Sequence, residues 1–220
     1  MSVSFEFRLT PSTKNYKGYT FTGNLKTFLK YHGRRGGYIA RITEAYGRAT
    51  IKDLRAGIAW YDRARSVAEK IHPNVLVGAG VLAALSPQTD WQHNKLYATV
   101  TCESWLRNDP YPPSVSTGNR LGKAWDILCL ENPTVEAITS ILNGPKTQRF
   151  FRNIIGDMQA VTIDVWAKRI ATGFKDDSSP KPGHDYNTLE QAYQIAASRL
   201  GIDPRDLQAA VWVNARGTAE

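Results

Sequence analysis

Cysteine is scarce in this chain. Cys102 and Cys129 are its two cysteines, too few for a disulfide framework, a four-cysteine zinc site or a four-cysteine iron–sulfur cluster. Both are expected to be reduced thiols, mostly buried. Long apolar runs are also missing, since none reaches the roughly 18 residues that a membrane-spanning helix needs. The opening residues contain no basic segment followed by an apolar stretch, so no secretory signal is read. The expectation is a protein with no membrane partner that stays where it is made, in the cytoplasm or at the nucleoid. There is neither an internal repeat nor a low-complexity tract.

What is present points to a packed core with a basic surface. A 42% hydrophobic and 22% charged composition is ordinary for a folded protein and argues against disorder. Twenty-eight Lys and Arg oppose 20 Asp and Glu, a net charge of +8. Such a balance favours polyanionic partners, nucleic acid among them, without specifying one.

Residues 1–45 read as a basic extension. Val3, Phe5 and Phe7 alternate with polar residues at strand period, and Arg34 and Arg35 sit among glycines. The stretch is either a small β-hairpin completed by residues 19–22 or a basic arm. From Thr50 the pattern turns helical: Leu54, Ile58, Tyr61, Ala64, Ala68 and Ile71 recur at three- and four-residue spacings until Pro73 stops the run. Residues 74–85 are apolar on nearly every face, as a central buried helix requires. Thr89 or Asp90 can cap the helix that follows. Pro110, Pro112 and Pro113 mark a loop, and helical patterns resume over residues 119–130 and 134–142. Asn143-Gly144-Pro145 makes a tight turn, with Pro145 suited to open the next helix. Asp164 can cap another, and two more helices close the chain. The fold class is all-α, in two lobes: residues 46–73 with 160–220, and residues 74–159.

Two residues stand out chemically. Lys146 falls in the first turn of a helix, where the positive end of the macrodipole opposes its charge and favours the free amine that a nucleophile needs. A plain surface lysine is the ordinary alternative. Asp164 lies where the apolar run Val161 to Ile163 becomes a helix, so it is a cap, a rigidly aimed carboxylate, or both.

In these segments the chain resembles the helix-hairpin-helix DNA glycosylases of the endonuclease III type. Gly144-Pro145-Lys146-Thr147 is similar to the Gly-x-Lys-Thr step that opens the second hairpin helix of that family. Ile163-Asp164-Val165-Trp166 is similar to its aspartate segment, at matching separation from the lysine. Upstream, Leu85-Ser86-Pro87-Gln88-Thr89-Asp90 followed by Asn94-Lys95 resembles the family's buried helix, turn and continuation. The likeness runs from about residue 50 to residue 217. It departs at Leu142, where a glycine is usual, and at Trp166, where a histidine is usual. The C-terminal cysteine quartet is absent, so no iron–sulfur cofactor, metal or other cofactor is expected.

The resemblance implies a two-lobed helix-hairpin-helix glycosylase fold and a monomer acting on duplex DNA with a flipped base. It implies Lys146 as the amine that attacks the sugar C1′ and Asp164 as its electrostatic and acid–base partner. Gln88 would stand near the gap left by the flipped nucleotide, although a solvent-exposed turn residue is an equal reading. Asn143, Gly144 and Thr147 would meet the DNA at the hairpin, with Trp91 and Trp166 beside them; a core position is the plainer reading of Trp91. The function expected is a DNA glycosylase, possessing lyase activity through its lysine. The alternatives are a transferase that modifies DNA bases, as in viral thymine hypermodification, and a non-catalytic DNA-binding protein.

Overall fold

The computed structural model describes residues 37–109, 119–175 and 178–217. The expected strand at Val3 to Phe7, the Tyr19 hairpin, the Arg34–Arg35 cluster and the Pro110 to Pro113 loop lie outside the described residues. Within them the chain is helical, with no strand. The helices are α1 (Gly37–Arg48), α2 (Ile51–Ile58), α3 (Trp60–Ile71), α4 (Val75–Leu85), α5 (Trp91–Leu106), α6 (Asn119–Leu128), α7 (Val135–Ile141), α8 (Pro145–Ile155), α9 (Val165–Thr172), α10 (His184–Leu200) and α11 (Pro204–Arg216).

Two of these differ from the sequence reading. Residues 37–45, grouped with the extension, begin helix α1, which buries Ile39 and Ile42 to 1% and 0% exposure. The surrounding glycines and arginines hide this three-residue apolar spacing. The single helix read from Thr50 to Ile71 is broken at Ala59, which ends α2 and opens α3. Thr50 and Asp53 close a reciprocal capping box at the start of α2. Near its C-terminal end is Gly57, where an added Cβ would lie 2.4 Å from the Ala210 Cα. The α2–α11 crossing is therefore so close that only glycine fits it.

The remaining boundaries follow local chemistry. The Asn74 side chain caps α4 by accepting from Leu76 N–H, and residues 77–85 of that helix are all buried. Asp90, and not Thr89, caps α5, accepting from His93 N–H at 3.0 Å. Gly144, at φ 100°, precedes Pro145 in the first position of α8.

Buried side chains form two clusters. The larger gathers residues from α3 through α8, with Ala79, Leu82, Ile127, Ile138 and Phe151 fully enclosed. The smaller joins Ile39 and Ile42 to Val161, Ile163, Tyr186 and Tyr193. Helix α3, which the sequence grouping placed with the C-terminal helices, contributes Tyr61, Ala64 and Ala68 to the larger cluster. Helix α11 serves both, giving Ala209 to the larger and Leu207 and Val211 to the smaller.

Candidate active site

The approach to Asp164 is an extended segment, residues 160–163, held from one side by α10. The buried Tyr186 hydroxyl accepts from Ile163 N–H and donates to the Val161 carbonyl, both at 2.9 Å. Glu190 accepts from Val161 N–H at 3.2 Å and is itself gripped by Arg149 at 2.7 and 3.1 Å. A two-pronged guanidinium–carboxylate pair of this kind fixes orientation as well as distance. Asn153 accepts from the Thr162 hydroxyl and donates to the Asp157 and Ala160 carbonyls. The segment leading into Asp164 is thus tied down through the backbone at residues 160, 161 and 163 and through the side chain at Thr162.

Asp164 uses both carboxylate oxygens. Oδ1 accepts from Ala167 N–H at 2.7 Å, capping α9, and Oδ2 accepts from Trp212 Nε1–H at 2.9 Å. A carboxylate held at two points loses little freedom on meeting a ligand.

Lys146 follows Pro145 at the start of α8 and lines the same cleft as Asp164. Among the described residues no carboxylate pairs with it. The cleft walls are aromatic: Trp60 lies 5.2 Å from Trp91, 5.8 Å from Phe150 and 5.8 Å from Trp212, ring centre to ring centre. Arg216, which also lines the cleft, lies over the Trp212 ring at 4.5 Å. Cations over indole faces add to packing and orient the ring. The cavity is about 140 Å³, close to the ~150 Å³ that accepts a benzene ring. Its volume suits one planar ring lying against this aromatic cluster.

Polar groups line the remainder. Tyr61 is buried and donates to Gln208 Oε1 at 2.9 Å; burial pushes its phenol up to about 12. Asn94 and Asp90 come from the start of α5. Asp90 also meets His93 Nδ1 at 2.6 Å; its bonds to the His93 backbone and ring hold its carboxyl below the usual range.

Of the residues singled out by sequence, Lys146, Asp164 and Trp91 line this cleft. The others stand outside its lining. Gln88 is exposed in the α4–α5 turn at φ 56°, a conformation costly for a residue with a Cβ. Arg120 steadies that turn, donating to the Pro87 carbonyl and to Thr89 Oγ1. Asn143 and Gly144 are exposed in the α7–α8 turn. Thr147 is buried, its hydroxyl directed at the Asn143 and Gly144 carbonyls. Trp166 is half-buried beneath Arg169, 5.0 Å away.

Sequence reading missed Trp60, Asn94, Gln208, Trp212 and Arg216. One signal was available. Gln208, Trp212 and Arg216 recur every fourth residue, a polar and aromatic stripe along one side of α11.

Both cysteines are free thiols: Cys102 is buried, where burial pushes it up to about 12, and Cys129 is exposed. Among the described residues no three His, Cys, Asp or Glu converge as a metal site. Nor is any described helix long and apolar enough to cross a membrane. No curated protein and no solved structure matches the chain. Residues 29–219 match DUF7178, and the chain thus belongs to this family of unknown function.

Proposed function

We propose that the chain is a DNA glycosylase with lyase activity, which seats one extruded base in the aromatic cleft and attacks its sugar with Lys146. The observation that carries this reading is the convergence of Lys146 and Asp164 on one ring-sized, tryptophan-walled cavity. A base inside a duplex is out of reach, so chemistry at its glycosidic bond needs a pocket that replaces stacking. Trp60, Trp91 and Trp212 supply that replacement. The net charge of +8 suits a phosphate-rich partner.

The steps follow from the two side chains. Asp164 faces positive charge developing on the sugar as the C1′–N bond breaks and the base leaves with the bonding pair. The Lys146 amine forms a bond to C1′ and gives a proton to Asp164. Breaking of C1′–O4′, with O4′ taking the proton back from Asp164, gives a protonated imine between Lys146 and C1′; loss of a C2′ proton to the Asp164 carboxylate as the C3′–O bond breaks then releases the 3′ phosphate and cuts the strand. In this reading α7, the turn at Asn143 and Gly144, and α8 form the hairpin of a two-lobed glycosylase fold. The open space around Gly144 lets a phosphate approach backbone N–H groups at a helix N-terminus.

The test is incubation with duplexes carrying different damaged or modified bases, with products resolved by mass spectrometry and borohydride added to trap the imine. Wild type should release a base and form a covalent adduct that Lys146→Ala does not form. A changed base mass in intact DNA, with no release, would replace this reading by a base-modifying transferase. Binding without any chemistry would leave a DNA-binding protein.

A further inference from the structure

Asn94 is 1% exposed, lines the cleft and has one end engaged: its Nδ2 donates to the Leu82 carbonyl at 3.1 Å. That carbonyl belongs to the last turn of α4, where main-chain acceptors lack helical partners. The other end, Oδ1, is buried and has no hydrogen-bond partner among the described residues. Buried polar atoms are nearly always paired in native proteins, and an exception at a cleft calls for a cause.

Turning the amide over does not remove the problem. It would set Oδ1 against the Leu82 carbonyl, acceptor to acceptor, and strand the amide nitrogen instead. The neighbouring hydroxyls are committed elsewhere. Ser86 Oγ donates to the Ala83 carbonyl at 3.0 Å and Thr89 Oγ1 to the Pro87 carbonyl at 3.2 Å. Gln208, which also lines the cleft, spends its oxygen on Tyr61 and makes no other side-chain hydrogen bond among the described residues, so its amide nitrogen remains a donor.

We infer that Asn94 determines specificity: its Oδ1 accepts an N–H on the edge of a planar ring seated against the cleft tryptophans. The ligand class is a heteroaromatic ring with an N–H donor, read by Asn94, beside an acceptor suited to the Gln208 amide. A ring without the N–H would enter the same walls and leave the buried oxygen unpaired, and sites built on such bonds reject such analogues strongly. This inference rests on reading the cleft as the seat of a base.

The experiment uses the full chain and short single-stranded DNAs that carry one base among abasic positions, read by quenching of tryptophan fluorescence. Thymine is compared with N3-methylthymine, and hypoxanthine with N1-methylhypoxanthine. For whichever ring seats, the N–H form should bind on the order of tenfold tighter than its N-methyl counterpart. In Asn94→Leu the ratio should fall to about one. If that variant fails to fold because α4 loses its cap, the wild-type ratios decide alone. Equal binding of both forms, a preference that persists in folded Asn94→Leu, or no quenching at all would overturn the inference. Free deoxynucleosides of the same bases separate the two sources of this ring. N–H preference without any gain from the DNA backbone would sustain the role of Asn94 and remove DNA as the substrate. Base release from duplex DNA without N–H preference would do the reverse.

Discussion

Trp212 donates its indole N–H to Asp164 at 2.9 Å across 48 residues of sequence, while its ring forms part of the cleft wall. One side chain therefore both shapes the cavity and aims its carboxylate. Trp212→Phe keeps an aromatic wall and removes the bond. Because hydrogen bonds to charged groups contribute about 1.5–3 kcal/mol, the rate should fall on the order of 10- to 100-fold. The capping bond from Ala167 should hold the fold, as circular dichroism would check. Unchanged single-turnover rates would place Trp212 in the wall alone.

Asp164→Asn is a less innocent substitution than its size suggests. An asparagine can still accept from Ala167 N–H, but it then turns its own N–H₂ toward the Trp212 N–H, donor against donor. The alternative orientation loses the cap. The variant should be inactive and also less stable by about 1–3 kcal/mol. Combining it with Trp212→Phe should restore part of that stability, a non-additivity that denaturant titration of both single variants and the double variant would measure.

Truncation separates the two parts of the N-terminal region. Removing residues 1–45 takes Ile39 and Ile42 out of the smaller cluster, and losing each buried isoleucine costs about 2–5 kcal/mol. That truncation should be grossly destabilised. Removing residues 1–36 leaves α1 whole, with Ile39 and Ile42 in place, and should cost far less stability than the longer truncation. A salt titration of DNA affinity on this second form reports whether the arginines at 34 and 35 contribute to the slope. The same titration on the full chain should fall linearly in log–log form.

Alkaline pH should weaken the fold. Tyr61 is raised to about 12 and Tyr193 also stands well above the ordinary tyrosine value, both chiefly through burial. Between pH 10 and 12 the unfolded chain has released the Tyr61 proton and the folded chain has not, so stability is complete below about 10 and declines as pH rises. For Tyr61 alone two units correspond to roughly 3 kcal/mol. Tyr61→Phe should start less stable, having left Gln208 unpaired, and should show a shallower loss across that window. Identical slopes would assign the alkaline transition to other groups.

Local signals carried the fold further than the site. Asp90, Asp164 and Pro145 each mark a helix start through chemistry within three residues, and α4 announces its burial by being apolar on every face. Lys146 and Asp164 are paired in the sequence only through the likeness of their two segments to the helix-hairpin-helix glycosylases. The rest of the cleft is assembled across long separations: Tyr61 meets Gln208 over 147 residues. Helical period says which side of α11 is inward but not which helix it faces. Asn94 resembles any polar residue on a helix until the carbonyl of Leu82 claims its nitrogen and nothing claims its oxygen.

The contact at Gly57 bears on how variants of this protein would be interpreted. Helix α11 presents Gln208, Trp212 and Arg216 to the cleft on one side and rests its backbone at Ala210 against α2 on the other, with no room for even a methyl group. A side chain at position 57 must push α11 away and carry three wall residues with it. In a screen scored by activity, substitutions there would register beside those at Lys146 and Asp164, the catalytic pair of the proposed reaction, although residue 57 is not among the cleft-lining residues. A map of sensitive positions would thus draw the site larger than the cavity, extended along α11 to the place where α2 braces it.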